Sequence, residues 1–483
     1  MDLLFELPLT RPSAPAAVRG LFEQLRSAIL EGRLASGARL PPTRRAKALL
    51  GVSRNTAAEV YDRLAQEGLL VARRGSGTYV ADAVARRSGE ARSAAAIRIN
   101  PVWSDPAIEA DIGFWGTSDG NGEGPWIADF RPALVDSRLF PLDVFRRVMA
   151  KELRRLENRP PRLKSPQGNQ GNHHLRCAIA QHIAVTRAVA CDPAAIVVTA
   201  GAQQAFDLLA RVLVIPGETV VAMEDPGYPP MRAAFRAAGG RVVPVPVDDE
   251  GLCVDRLPAD ADLICVCPSH QFPLGMTMSA ERRAALVAFA RRRGAVVVED
   301  DYDGEFRYDG APVAALRTAE NADVVAYVGT VSKCMLPSLR LGFVVLPEAI
   351  RRPFVTAKNA QDWHCPTPMQ AGVAAFIAEG HLTRHIRRMR GIYKRRRQRL
   401  VDGIADLALP FDVIPSCYGM HITALERAPG EAARTAAALL RRGVLAHTTD
   451  RYESSTARPG LILGYGVVDE QRIDRVMTMM AER

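Results

Sequence analysis

Apolar residues recur at helical spacing between residues 15 and 32, at Val18, Leu21, Phe22, Leu25, Ile29 and Leu30. That pattern predicts an amphipathic helix, ended by Gly32 and Gly37. A second short helix is predicted from Thr43 to Leu50, after Pro41-Pro42. Gly51-Val52-Ser53 reads as a tight turn whose serine caps a third helix, Arg54 to Gln66. Ala57, Val60, Tyr61 and Leu64 form its inner face, and Gly68 closes it. Helix, short turn, helix is a helix-turn-helix arrangement. A hairpin follows, Leu69-Leu70-Val71-Ala72 and Thr78-Tyr79-Val80, around a basic, glycine-rich tip, Arg73-Arg74-Gly75-Ser76-Gly77. Such a tip reads as a wing.

Residues 82–125 break the periodicity. Arg86-Arg87-Ser88-Gly89-Glu90, an alanine run at 94–96 and Asp119-Gly120-Asn121-Gly122-Glu123-Gly124-Pro125 predict a linker, partly mobile. From Trp126 onward strands and helices alternate, which predicts an α/β domain with a mainly parallel sheet covered by helices on both faces. The chain after about residue 350 begins with helices and reads as a small C-terminal α+β lobe. The expected organisation is therefore 11–81, a linker over 82–125, and 126–483 with 350–483 as its small lobe. No apolar run reaches the roughly 18 residues of a membrane span, and the acidic start, Met1-Asp2-Leu3-Leu4-Phe5-Glu6, does not read as a secretory leader. The eight cysteines are scattered without Cys-x-x-Cys pairs, so reduced thiols in a cytoplasmic protein, with no metal site, are expected.

Charge sharpens the reading of the N-terminal segment. The 483 residues carry a net +10, and Arg11 to Val80 holds twelve Lys/Arg against five Asp/Glu, a local +7. A basic segment of that kind points to nucleic acid. In a helix-turn-helix the last helix enters the major groove, led by its first residues, here Arg54, Asn55 and Thr56. Arg54 suits guanine and Asn55 adenine. Arg44 and Arg74 are placed for phosphate or minor-groove contacts. A second basic run, from Arg384 to Arg399, is read as a solvated helix face, with DNA contact as the rarer alternative.

The candidate chemistry sits at strand ends. Gly329-Thr330-Val331-Ser332-Lys333 follows an apolar run, Val324 to Val328, and Arg340 lies seven residues beyond the lysine. A lysine that captures an aldehyde cofactor needs a phosphate anchor nearby, and hydroxyls and a guanidinium supply one. Ala295-Val296-Val297-Val298-Glu299-Asp300-Asp301-Tyr302 ends a second strand in carboxylates and a phenol. Pyridoxal phosphate needs an acid opposite its ring nitrogen and gains from a phenol near O3′, roles open to Asp300 and Tyr302. Val197-Val198-Thr199-Ala200-Gly201-Ala202-Gln203 reads as strand, turn and helix start, an anion site. Glu224-Asp225-Pro226-Gly227-Tyr228 offers a tyrosine to stack on a planar ring. Ligands of α/β sheets bind at such strand ends.

These stretches resemble two known families joined in one chain. Gly37-Ala38-Arg39-Leu40-Pro41, Gly51 to Thr56 and Gly75-Ser76-Gly77-Thr78 resemble the GntR-type winged helix. Trp126 onward resembles fold-type I aminotransferases, and Pro268-Ser269-His270-Gln271-Phe272-Pro273 with Glu299 to Phe306 is close to the wording of the MocR/GabR group of bacterial transcription regulators. The resemblance implies that Lys333 holds pyridoxal 5′-phosphate as an internal aldimine, with Asp300 on the pyridine nitrogen and Tyr302 on O3′. Ala202, Gln203, Thr330, Ser332 and Arg340 would bind the phosphate, and Tyr228 would stack on the ring. Arg44, Arg54, Thr56 and Gly75 occupy DNA-contact positions of the group. A homodimer is implied in which each DNA-binding domain packs on the partner's large domain.

The chain also departs from the pattern. Many aminotransferases carry Asn-Pro-x-Gly, whose asparagine contacts O3′; here the residue before the proline is Phe272, which leaves His270 or Gln271 to substitute. The late strand Leu461-Ile462-Leu463-Gly464-Tyr465 lacks the arginine that usually binds a substrate carboxylate. Arg451 and Arg458 lie just upstream, and Arg451 is the favoured effector contact. The segment Lys164 to Leu175, usually tyrosine-containing in relatives, here opens Lys164-Ser165-Pro166-Gln167-Gly168-Asn169-Gln170 and holds no tyrosine, which bears on effector choice. The expected function is a transcription regulator sensing an amine, an amino acid or pyridoxal phosphate itself. The alternative is a working aminotransferase with an attached DNA-binding domain; partial or vestigial activity lies between them.

Overall fold

A computed structural model describes residues 17–45, 50–73, 75–81, 98–115, 126–158, 169–310, 313–318, 320–321, 323–453 and 458–482. The chain divides into two compact units, Met1–Ile99 and Asn100–Arg483.

In the first unit the helix Ala17–Leu30 buries Leu21, Leu25, Ala28 and Ile29. Leu30, expected inward, is 40% exposed: Ala28 and Ile29 already face the core, and one further residue rotates about 100° away. Thr43–Arg45 forms a 3-10 turn, and residues 46–49 of the expected second helix lie outside the described residues. The helix Arg54–Gln66 buries Ala57, Val60, Tyr61 and Leu64, and Ser53 caps it by accepting from Thr56 N at 3.1 Å. The buried Tyr61 hydroxyl donates to Pro41 O at 3.0 Å, fixing the turn before Thr43. Leu70–Arg73 pairs antiparallel with Gly77–Val80, so Leu70 and Val80 meet across the ladder and close the core.

The second unit is built on an eight-stranded sheet in the order Ile196–Thr199, Gly342–Val345, Val325–Thr330, Val296–Asp301, Leu263–Val266, Val220–Asp225, Arg241–Asp248 and Gly251–Leu252. Gly342–Val345 runs antiparallel to both neighbours and Gly251–Leu252 runs antiparallel to Arg241–Asp248; the other pairings are parallel. Alternate strand residues serve two layers. Val197, Val221, Leu263, Val298 and Val328 pack under Phe206 and Phe235 of the helices Ala202–Leu213 and Pro229–Ala237. On the other face, Ala222, Ile264, Val297 and Val325 pack on Leu286, Val287 and Ala290 of Ala280–Arg293. The smaller lobe holds a second sheet, Phe411–Val413, His421–Glu426, Gly460–Gly464 and His447–Thr448. It also recruits chain from far upstream, because Ala128–Asp129 pairs with Val444–Leu445.

Two expectations change. The stretch read as linker is not irregular throughout: Pro101–Ser104 is a 3-10 turn and Pro106–Gly113 an α-helix capped by Asp105. Asp111 grips Arg232 at 2.6 Å and Arg236 at 2.9 Å, locking this helix onto Pro229–Ala237. Its eight residues are too few for a periodic signal; residues 82–97 and 116–125 lie outside the described residues. The basic run lies on the helix His381–Asp406, but it is not simply a solvated face. Lys394 pairs with Asp309, Arg395 with Glu470 and Arg399 with Asp474, at 2.6, 3.0 and 2.6 Å. Arg396 is buried and donates to Tyr465 O and Gly466 O at 3.2 and 2.7 Å. All eight cysteines are free. Among the described residues no helix is long and apolar enough to cross a membrane.

Candidate functional site

Parallel strands deliver their carboxyl ends to one edge of the sheet, and the site lies there. Thr199 leads to Gly201 and Ala202, Asp225 to Tyr228, Val266 to the 267–275 loop, Asp301 to Tyr302 and Thr330 to Lys333. The antiparallel strand Gly342–Val345 starts where its neighbours end, which returns Arg340 to the same edge. These segments line a cleft open to solvent. Lys333, Asp300, Tyr302, Tyr228, Ala202, Gln203, Thr330, Ser332 and Arg340 all line it. Phe272, which stands where aminotransferases place an asparagine, lines it too, with Trp115, Ala133 and Pro337, which carry no such expectation.

The lysine and the acid are electrostatically displaced toward each other. Lys333 Nζ donates to Ala133 O at 2.8 Å, a carbonyl presented by a residue at φ 62°. Burial pushes the amine down to about 8, against the pull of Asp303 and Asp300. Asp300 is buried, and one carboxylate oxygen, Oδ1, has no hydrogen-bond partner. Burial, then the neighbouring Asp301 and Asp303, push its carboxyl up to about 8. An orphaned buried oxygen on an acid at a cleft wall asks for a donor from outside the chain.

The opposite end suits an anion. The helix Ala202–Leu213 begins at Gly201 without a side-chain cap, leaving its first amides free. Gly201 adopts φ 84°, and a Cβ there would come within 2.9 Å of Arg340 Nη2. A Cβ on Gly342 would lie 2.8 Å from the Gly201 carbonyl carbon, so both glycines are needed for this close approach. Arg340 Nη2 donates to Ala200 O at 3.0 Å, and Thr330 Oγ1 donates to Ser332 Oγ at 2.9 Å.

Aromatic rings make the walls. Phe272 meets Tyr228 and Tyr302 edge-on, each at 5.5 Å. His270 does not line the cleft; it stands behind, its Nδ1 2.7 Å from the Tyr302 hydroxyl. Gln271 is spent on structure, donating to Pro226 O at 2.7 Å and Phe272 O at 2.8 Å. Sequence reasoning also missed Glu224, a buried acid beneath the cleft that accepts from Cys267 N at 3.0 Å and is pushed up to about 8 by burial. Arg451 is exposed on the turn Thr449–Arg451, outside the cleft lining, 3.5 Å from Phe114 O. Arg458 is paired with Asp249 at 2.9 Å. Of the segment 164–175, residues 164–168 lie outside the described residues.

In the first unit Arg54 and Asn55 are exposed and Thr56 is half-buried, in the first turn of Arg54–Gln66. Arg44 is exposed on its 3-10 turn and Gly75, at φ 77°, on the hairpin tip. Arg74 lies outside the described residues. Arg63 pairs with Glu59 and Arg26 with Glu67, whereas Arg44 and Arg54 form no ion pair among the described residues.

Two family models match in tandem: bacterial regulatory proteins of the gntR family over residues 18–80, and aminotransferase class I and II over residues 137–456. The pyridoxine biosynthesis transcriptional regulator PdxR of Corynebacterium glutamicum is 30% identical over 99% of both chains. The chain belongs to the MocR-type transcription regulators. The probable rhizopine catabolism regulatory protein MocR of Rhizobium meliloti is 36% identical, covering 81% of this chain and 78% of that one. TauR of Rhodobacter capsulatus, a transcriptional regulator, is 33% identical over 82% of each chain. Among solved structures, an archaeal alanine:glyoxylate aminotransferase superposes with a TM-score of 0.68 at 22% identity, covering 80% of this chain and 95% of that one. Pyrococcus horikoshii kynurenine aminotransferase does so with 0.67 at 24%, covering 80% and 94%. Both show that the second unit has the fold of pyridoxal-phosphate aminotransferases. This MocR-type regulator is thus a DNA-binding, pyridoxal-phosphate-dependent type of transcription regulator.

Proposed function

We propose that the cleft holds pyridoxal 5′-phosphate on Lys333, and that an amine, an amino acid or the cofactor itself, acting there, changes how the winged helix holds DNA. The observation that carries this reading is the facing pair: a lysine amine held at about 8 and a buried Asp300 with an unpartnered oxygen. When bound, pyridoxal phosphate supplies an aldehyde that captures amines and a ring that withdraws electrons. Lys333 is suited to hold it because its depressed pKa leaves far more neutral, nucleophilic amine at pH 7 than an ordinary lysine has. Asp300, with its unpartnered oxygen, would hold the ring nitrogen, Tyr302 would serve O3′ and Tyr228 would bound the ring. The free amides at Ala202 and Gln203, with Thr330, Ser332 and Arg340, hold the phosphate.

On the DNA side, Arg54, Asn55 and Thr56 read the major groove, while Arg44 and the Gly75 tip hold the backbone. A homodimer would present two such units, each packed on the partner's large domain. The end-to-end match to a regulator of pyridoxine biosynthesis supports the cofactor itself as a signal. A coupling of about 1–3 kcal/mol between cleft and DNA is enough.

Titrating the purified chain with pyridoxal phosphate and then with amines, while following visible absorbance and DNA affinity, tests this. Lys333→Ala is expected to lose the visible band and the ligand-dependent change in DNA affinity, yet keep basal DNA binding. A Lys333→Ala protein that responds like the parent sinks the proposal. Assaying amino-group transfer to 2-oxo acids on the same samples tests the enzymatic alternative.

A further inference from the structure

Behind the cleft wall lies a buried polar cluster that the proposed site does not use directly. His270, Asp303 and His421 are 2%, 1% and 1% exposed. His270 Nδ1 is 2.7 Å from the Tyr302 hydroxyl and 3.0 and 3.2 Å from the two Asp303 oxygens. One ring nitrogen carries at most one hydrogen, and an ionised carboxylate can only accept. With Asp303 ionised, the hydrogen therefore sits on Nδ1 and points at Asp303. Tyr302 then cannot donate to His270, and its own hydrogen is left for the cleft that its ring lines.

The surroundings hold this arrangement in place. A Cβ on Gly419 would lie 1.9 Å from His270 Cε1 and one on Gly275 3.2 Å from Nε2, so backbone clamps the imidazole on two sides. His421, 4.8 Å away ring to ring, donates from Nε2 to Pro273 O at 2.8 Å, and burial with the adjacent His270 keeps it neutral. The other titratable groups facing Tyr302 are Asp300, Cys267 and Tyr465, and with burial and Asp303 they push the phenol well up, so it stays protonated.

We propose that His270 and Asp303 are positioning residues that orient Tyr302 as a hydrogen-bond donor into the cleft, toward the ring oxygen of the bound cofactor. They would thereby supply through a tyrosine what Phe272 cannot. The inference rests on the reading that the cleft holds pyridoxal phosphate. Neither residue touches the cofactor in this scheme, so the readout must be spectroscopic.

The experiment is a pH titration of the visible absorbance of the full chain loaded with pyridoxal phosphate. Asp303→Asn makes the direction of the Nδ1 hydrogen ambiguous, and the titration midpoint is expected to move by about one pH unit, the scale of one buried hydrogen bond. In a Tyr302→Phe background only the through-space effect of the lost Asp303 charge on Lys333 and Asp300 remains, so the shift is expected to shrink clearly. His270→Gln, read in the same two backgrounds, decides the matter if Asp303→Asn does not fold. A parent band whose midpoint is unmoved by the substitution, or an equal shift without the Tyr302 hydroxyl, overturns the inference alone. Absence of any band in the parent chain overturns the proposed cofactor and this inference together.

Discussion

Two helices of this chain carry arginines at positions open to a partner, one sparsely and one densely, and the folded molecule uses them differently. At the start of Arg54–Gln66, Arg54 reaches solvent without an ion pair among the described residues. Along His381–Asp406, several cations are engaged by the protein itself, in ion pairs to Asp309, Glu470 and Asp474 and, at Arg396, in bonds to backbone carbonyls. Positive charge in a sequence therefore signals a nucleic-acid partner only where folding leaves it unspent. The first helix offers Arg54 outward at its leading turn; the second ties part of the small lobe to its neighbours.

The comparison is most open to attack at Arg396. Its buried guanidinium serves two carbonyls and stands 3.6 Å from the buried Asp136. Arg396→Ala should cost roughly 3–5 kcal/mol of stability, measured by urea unfolding, because it strands buried partners. A midpoint unchanged from the parent would mean that the second helix is not a brace. Next in size, Arg54→Ala should weaken binding to a DNA fragment selected by the parent chain by about 1–3 kcal/mol and relax its preference at one base pair. Equal losses on selected and random DNA would instead make Arg54 a phosphate contact.

A smaller effect concerns pH. His385, on the second helix, is pushed down to about 4 by burial and by Arg388. The unfolded chain then binds a proton that the folded one refuses, so stability falls as pH drops from about 6.5 toward 4. His385→Phe should flatten that part of the thermal-midpoint profile, and an unaltered slope would contradict it. The smallest expectation is Arg399→Ala, an exposed pair with Asp474, which should cost under about 1 kcal/mol and leave DNA affinity unchanged. A loss of DNA affinity there would erase the contrast between the two helices.

The legible parts share a property: their signal lies within a few consecutive residues. Ser53 and its helix, the Lys333 and Asp300 strand ends and the glycine turn at Gly201 are local patterns, and each was readable without a partner. The illegible parts are meetings. Ala133 reaches Lys333 across 200 residues, and nothing local in the stretch around it announces that carbonyl. His270 was attached to the cleft by position in a motif, but its role depends on Asp303 and Tyr302 from another strand. Arg451 was chosen by proximity in sequence to a late strand, and its turn places it away from the cleft lining. The basic helix is largely the solvated face its sequence implies, but the burial of Arg396 and the counterions Asp309, Glu470 and Asp474, which arrive from two other segments, carry no local signal.

The segment from Asn100 to Trp115 has a practical consequence for anyone exchanging parts between regulators. It follows directly on the DNA-binding unit, grips Arg232 and Arg236 through Asp111, and ends with Trp115 in the cleft wall. A graft joined at Ile99 keeps the second unit whole. One joined at Trp126, where the alternation of strands and helices first becomes visible, loses the Trp115 wall of the cleft and takes Asp111 away from Arg232 and Arg236.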